Sequence, residues 1–250
     1  MQCIVNGLAT NYEERGSGEA VIMLHGWKDD LHTFDGIASV LGENFRIVRL
    51  DLPGFGGSEA PKGDWILDDY AGFVKDFLGK LSISPDTLIG HSFGGRIAIK
   101  GIAANKFSAK KIILISSAGV ARRKTFRNML LAVLAKVGRV ITAIPPISFW
   151  KQEIRRGLYR SIGSDYFQAG ALGGTFLNII KEDLSSSAKN IMLPTLIIWG
   201  SKDSTTPISE GRRLNQLISG STLRVIEGAG HFVHKERPKE VSELIRKFQI

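Results

Sequence analysis

Apolar positions along this chain follow two alternating patterns. Short, nearly continuous runs occur at "AVIMLHG" (20–26), "RIVRLD" (46–51), "DTLIGHS" (86–92), "KKIILISSAG" (110–119), "PTLIIWG" (194–200) and "TLRVIEGAG" (222–230). Runs of this kind predict strands covered on both faces, as in a parallel sheet. Between them, "TFDGIASVLG" (33–42), "DDYAGFVKDFLGKL" (68–81), "FGGRIAIKGIAA" (93–104) and "PKEVSELIRKF" (238–248) carry helical spacing. The alternation predicts an α/β fold of βαβ units with right-handed crossovers. Residues 2–15 add candidate antiparallel edge strands.

The rhythm fails once, between about residues 121 and 190. That stretch has helical patterns and no convincing strand, and it is too long for an ordinary connection. The predicted organisation is a core domain of residues 1–120 and 191–250, with an inserted helical subdomain at 121–190.

Composition adds limits. Hydrophobic residues at 43% supply a core. The single cysteine, Cys3, excludes an intramolecular disulfide framework and a cysteine cluster for zinc. With no basic-then-apolar leader and no apolar run near the ~20 residues of a membrane span, a soluble, cytoplasmic protein is expected. The net charge of +9 is concentrated: residues 121–190 hold 12 Lys/Arg against 4 Asp/Glu, a net +8. The basic residues form no recognisable nucleic-acid motif and aromatics are not interleaved as stacking platforms, so no nucleic-acid partner is expected.

Candidate chemistry begins at Gly90-His91-Ser92-Phe93-Gly94. The serine follows a strand-like run and precedes a helical one, the context of a sharp strand-to-helix elbow. A serine hydroxyl needs a base, and the base an orienting acid. Asp203 falls just beyond the strand 194–200 and His231 just beyond the strand 222–230. All three project from carboxyl ends of strands, where open α/β sheets build their sites, in the order Ser…Asp…His expected of this architecture. The N–H of Phe93, directly after the serine, is a candidate oxyanion donor.

"LHGW", "DLPGFGGS", "GHSFGG", "PTLIIWGSKDSTTP" and "GAGHFVHKERP", in this order, make the chain resemble the cap-bearing serine hydrolases of the α/β-hydrolase fold, carboxylesterases among them. The resemblance spans essentially the whole chain. It implies Ser92 as nucleophile, His231 as general base, Asp203 as its orienting acid, and Trp27 with Phe93 as the oxyanion hole. It implies a mostly parallel sheet flanked by helices, with a helical cap inserted between two late strands. His234 is expected at the surface or behind the site, Asp51 in a structural turn, and His25 and His91 in supporting roles.

Serine at the elbow argues against epoxide or halide chemistry, for which relatives use aspartate. The expected reaction is hydrolysis of a carboxylic ester through an acyl-enzyme, which requires no metal or organic cofactor. The alternatives are a carbon–carbon bond hydrolase of the aromatic-degradation type, many of which carry asparagine where this chain has His91, and a receptor-like hydrolase with slow turnover. The expected partner is a small ester with an apolar acyl part. In the insert, "KTFRNMLLAVLAKVGRVITA" places Phe126, Met129, Leu130, Val133, Leu134, Val137, Val140 and Ile141 on one face at ~100° per residue. Lys124, Arg127, Lys136 and Arg139 fall opposite. Such a helix is either a cap element with a solvated basic face or a peripheral contact with anionic membrane.

Overall fold

In a computed structural model, residues 1–120 and 172–249 are described. They form an α/β sandwich around one eight-stranded sheet of order β1-β2-β4-β3-β5-β6-β7-β8. Strands β1 (Gln2–Val5) and β2 (Leu8–Arg15) are antiparallel, as the opening segment suggests. The other six are parallel: β3 (Ala20–Leu24), β4 (Arg46–Leu50), β5 (Thr87–His91), β6 (Lys111–Ile115), β7 (Thr195–Gly200) and β8 (Thr222–Ile226). Every residue of β3, β5 and β7 is buried, which is why these central strands read as unbroken apolar runs. β8 is an edge strand with Arg224 and Val225 exposed. It ends at Ile226, earlier than the apolar run, because Gly228 turns the chain at φ +77°.

Helices α1 (Asp35–Leu41), α2 (Leu67–Lys80), α3 (Phe93–Ala103), α4 (Gly173–Lys181), α5 (Ser185–Lys189), α6 (Ile208–Leu217), α7 (Val233–Glu236) and α8 (Pro238–Gln249) cover the sheet. Val21 and Met23 meet Ile37 and Leu41 of α1 and Val241 and Ile245 of α8 on one face. Alternation along β3 turns Ile22 and Leu24 to the opposite face. Helices α2 and α3 pack together, and α3 lies against β3 and β5. Each Leu, Ile or Phe so buried contributes about 1.5–3 kcal/mol relative to exposure.

The chain divides into two compact units, Met1–Ala121 with Gly174–Ile250, and Arg122–Gly173. The first unit resumes at Gly174, where the sequence pattern alone puts the return at 191. Helices α4 and α5 are held there by side chains of the core. The buried Arg96 guanidinium donates to the carbonyls of Ile179 and Glu182, and Lys100 Nζ lies 2.8 Å from Glu182 Oε1. The basic amphipathic stretch at 124–143 lies outside the described residues, as does most of the predicted insert. Among the described residues, no helix is long and apolar enough to cross a membrane.

Candidate active site

Ser92 sits between β5 and α3 at φ +48° and ψ −106°. A non-glycine residue held in such a region costs about 1–3 kcal/mol. The turn is locked because the Ser92 N–H donates to Ile115 O at 3.0 Å. It also requires glycine on both sides. A Cβ at Gly90 would lie 2.6 Å from Gly95 Cα, and one at Gly94 would lie 2.0 Å from Leu24 O. The small residues around Ser92 are thus demanded by close backbone approach, and the same approach projects the serine from the carboxyl end of the sheet.

Two strands away, the loops after β7 and β8 are joined before they present side chains. The Ser201 N–H donates to Ile226 O at 3.0 Å and the Lys202 N–H to Ala229 O at 2.9 Å. This pairing brings Asp203 Oδ2 to 2.9 Å from His231 Nδ1. The Asp203 side chain is fully buried and that of His231 is 11% exposed. Asp203 Oδ1 accepts the N–H groups of Thr205 and Thr206 at 2.9 and 2.8 Å. Burial pushes its carboxyl up, but the bonds from His231 and Thr206 prevail and hold it below the ordinary value.

Thr206 is a participant the sequence pattern does not reveal. Its hydroxyl lies 2.8 Å from Asp203 Oδ2, 3.1 Å from His231 Nδ1 and 3.2 Å from Ser116 O. The signal in "DSTTP" is the Asx turn, in which a carboxylate gathers the backbone N–H groups two and three residues ahead. Ser92 reaches this corner through its neighbour: His91 Nε2 donates to His231 O at 3.2 Å. Among the described residues, no hydrogen bond joins the Ser92 hydroxyl to His231 directly. Such bonds are often long without substrate.

Trp27, in the loop after β3, and Phe93, the first residue of α3, stand edge to face with ring centroids 5.3 Å apart. Neither backbone N–H is taken up by another described residue. Phe55 and Phe176 complete an aromatic wall, 4.9 and 5.2 Å from the Trp27 ring.

The remaining candidates fall into structural places. Asp51 accepts from the Leu31 and Gly57 N–H groups and from the Asn11 amide at 2.7–2.8 Å, so it organises a turn. His25 Nδ1 lies 2.7 Å from Gly26 O, and His25 Nε2 accepts the Leu52 N–H at 2.9 Å. His91 is buried, and burial with the neighbouring His231 pushes it down to about 3. His234 is not a surface residue: it is 1% exposed, with its ring centroid 4.3 Å from that of His91. The short helix α7 turns it inward, and burial pushes it well below its ordinary value.

The family described as the alpha/beta hydrolase fold matches residues 19–238, and the chain belongs to it. The uncharacterized hydrolase YugF of Bacillus subtilis is 26% identical, over 98% of this chain and 95% of the relative. A putative esterase/lipase of Haemophilus influenzae is 27% identical over 91% and 82%. The solved structure of a thermophilic esterase from Thermogutta terrifontis superposes with a TM-score of 0.76 at 20% identity, covering 100% of this chain and 98% of that one.

Proposed function

We propose that the protein hydrolyses carboxylic esters through an acyl-enzyme on Ser92. The observation that carries this reading is the Asp203–His231 bond of 2.9 Å, set at the same end of the sheet as a serine held at positive φ. Asp203, ionised and facing Nδ1, fixes the imidazole so that Nε2 presents a lone pair. Ser92 Oγ attacks the ester carbonyl as His231 Nε2 takes its proton. The Trp27 and Phe93 N–H groups receive the oxyanion; removing one such donor typically costs about 10²–10³ in rate. The alcohol departs with the proton from His231. Water, deprotonated by His231, then releases the acid and restores Ser92. The aromatic wall of Trp27, Phe55, Phe93 and Phe176 favours an apolar acyl group.

The test is a chain-length series of p-nitrophenyl esters with the parent and Ser92→Ala. Turnover by the parent and none by the variant is expected. Turnover of a vinylogous diketone acid without ester turnover would instead assign carbon–carbon bond hydrolysis. A single acylation without further turnover would assign a receptor-like role.

A further inference from the structure

Behind the triad, three side chains from separate elements converge: Asp29 from the loop after β3, His91 from the end of β5 and His234 from α7. One ligand atom from each lies within 4.8 Å of the other two. Both histidines are 1% exposed, and the Asp29 side chain is 13% exposed. Asp29 Oδ2, His91 Nδ1 and His234 Nδ1 are all buried without a hydrogen-bond partner among the described residues. Buried polar atoms are rarely left so, and each one needs an explanation.

The surrounding bonds fix what these atoms offer. His91 carries its proton on Nε2, because that atom faces the His231 carbonyl, so Nδ1 holds a lone pair. The Thr33 hydroxyl lies 2.8 Å from His234 Nε2; in the tautomer that carries its proton there, His234 Nδ1 also holds a lone pair. Lys235 Nζ and the Asp30 N–H occupy the other Asp29 oxygen, Oδ1, at 3.2 and 3.1 Å. With His234 in that tautomer, three acceptors meet with no proton between them. A single water has two protons and satisfies two of the three.

We propose that Asp29, His91 and His234 bind a divalent cation of the zinc class. Two neutral imidazoles and a carboxylate are a zinc-type donor set, with a fourth position left for water. Metal–ligand distances of about 2.0–2.2 Å set tetrahedral donors about 3.3–3.6 Å apart, so the cluster, whose atoms lie within 4.8 Å of one another, would contract onto the ion. The Thr33 hydroxyl and the His231 carbonyl orient the two imidazoles from behind, as outer partners of metal-binding histidines do. Gly26 keeps the His91 face open, since a Cβ there would lie 2.9 Å from Nδ1. The Lys235 ammonium opposes the ion's charge, while Asp29 supplies the compensating carboxylate. The ion touches none of the reacting atoms. Through His91, which holds the His231 carbonyl, it positions the loop that carries the proposed base.

Full-length protein stripped with chelator is titrated with Zn²⁺ by calorimetry and with Co²⁺ by visible absorption. One equivalent should bind, with the intense visible bands of tetrahedral cobalt. Asp29→Asn and His234→Gln should each weaken binding by about 100-fold or more. Ser92→Ala and the exposed His32→Gln should leave it unchanged. Absence of saturable binding by the parent overturns the proposal whether or not the variants fold. Binding that survives Asp29→Asn and His234→Gln but is lost in His231→Ala also overturns it, by placing the ion at the triad.

Discussion

Two imidazole–carboxylate groups stand side by side beyond the sheet, and they differ in how their polar atoms are satisfied. In the Asp203–His231 corner, both carboxylate oxygens are bonded, Oδ1 by the Thr205 and Thr206 N–H groups and Oδ2 by His231 and the Thr206 hydroxyl. In the Asp29–His91–His234 cluster, one buried polar atom of each side chain has no hydrogen-bond partner among the described residues. The first arrangement fixes one tautomer and one ring orientation, which suits a base that repeatedly gains and loses a proton. The second leaves buried polar atoms that no described neighbour uses, which suits the proposed ion. Residue type alone does not separate them; the hydrogen-bond inventory does.

The sharpest way to break the comparison is to remove one histidine from each group. His231→Ala should lose several powers of ten in kcat, because members of a triad act as a unit. His234→Gln should stay within about tenfold of the parent, since it acts only through the position of the His231 loop. Equal losses would erase the distinction between the two groups.

Next in size is Asp203→Asn, expected to reduce kcat by up to ~10⁴ because the amide favours the wrong tautomer. The same variant has a signature in stability. Asp203 is held below the ordinary carboxylate value, so its ionisation contributes stability above the unfolded pKa that is lost as pH falls through the lower folded value. Denaturant titrations between about pH 5 and pH 3 should therefore show a smaller loss of stability on acidification for Asp203→Asn than for the parent. An equal or larger loss would mean that His231 and Thr206 do not favour the ionised carboxylate.

Thr206→Val keeps the shape and deletes the bridging hydroxyl. Leaving Asp203 Oδ2 without that donor should cost about 1–3 kcal/mol of stability, with a kcat loss smaller than that of Asp203→Asn. An unchanged denaturation midpoint would make the bridge incidental.

The effect expected to be smallest on hydrolysis concerns the basic stretch. Replacing Lys124, Arg127, Lys136 and Arg139 by glutamine should weaken binding to anionic vesicles at low salt by about 1 kcal/mol per surface-bound residue. Hydrolysis of a small soluble ester should be retained. Equal vesicle binding by variant and parent would leave a solvated helix face.

Much of this architecture was legible in advance because burial on both faces leaves an unmistakable imprint. The central strands β3, β5 and β7 read directly as apolar runs, and the positions of Asp203 and His231 just past the runs of β7 and β8 are the ones the structure brings to 2.9 Å. Helix α6 was missed, because "ISEGRRLNQL" buries only Glu210, Gly211 and Leu214 and shows little apolar stripe. Thr206 was hidden inside a polar turn, where hydroxyls are ordinary. Of the two places the sequence leaves open for His234, the structure has the one behind the site and not the surface, a choice that a four-residue helix has no periodicity to make. The grouping of α4 and α5 with the first unit depends on Arg96 and Lys100, whose partners Ile179 and Glu182 lie 82 to 86 residues away, which no local pattern records.

The central claim is that Ser92 forms a covalent intermediate. Labelling with a fluorophosphonate, followed by peptide mapping, tests it most directly. Stoichiometric modification should fall on the peptide containing Ser92 and disappear in a folded Ser92→Ala variant. Undiminished labelling of that variant would contradict the account.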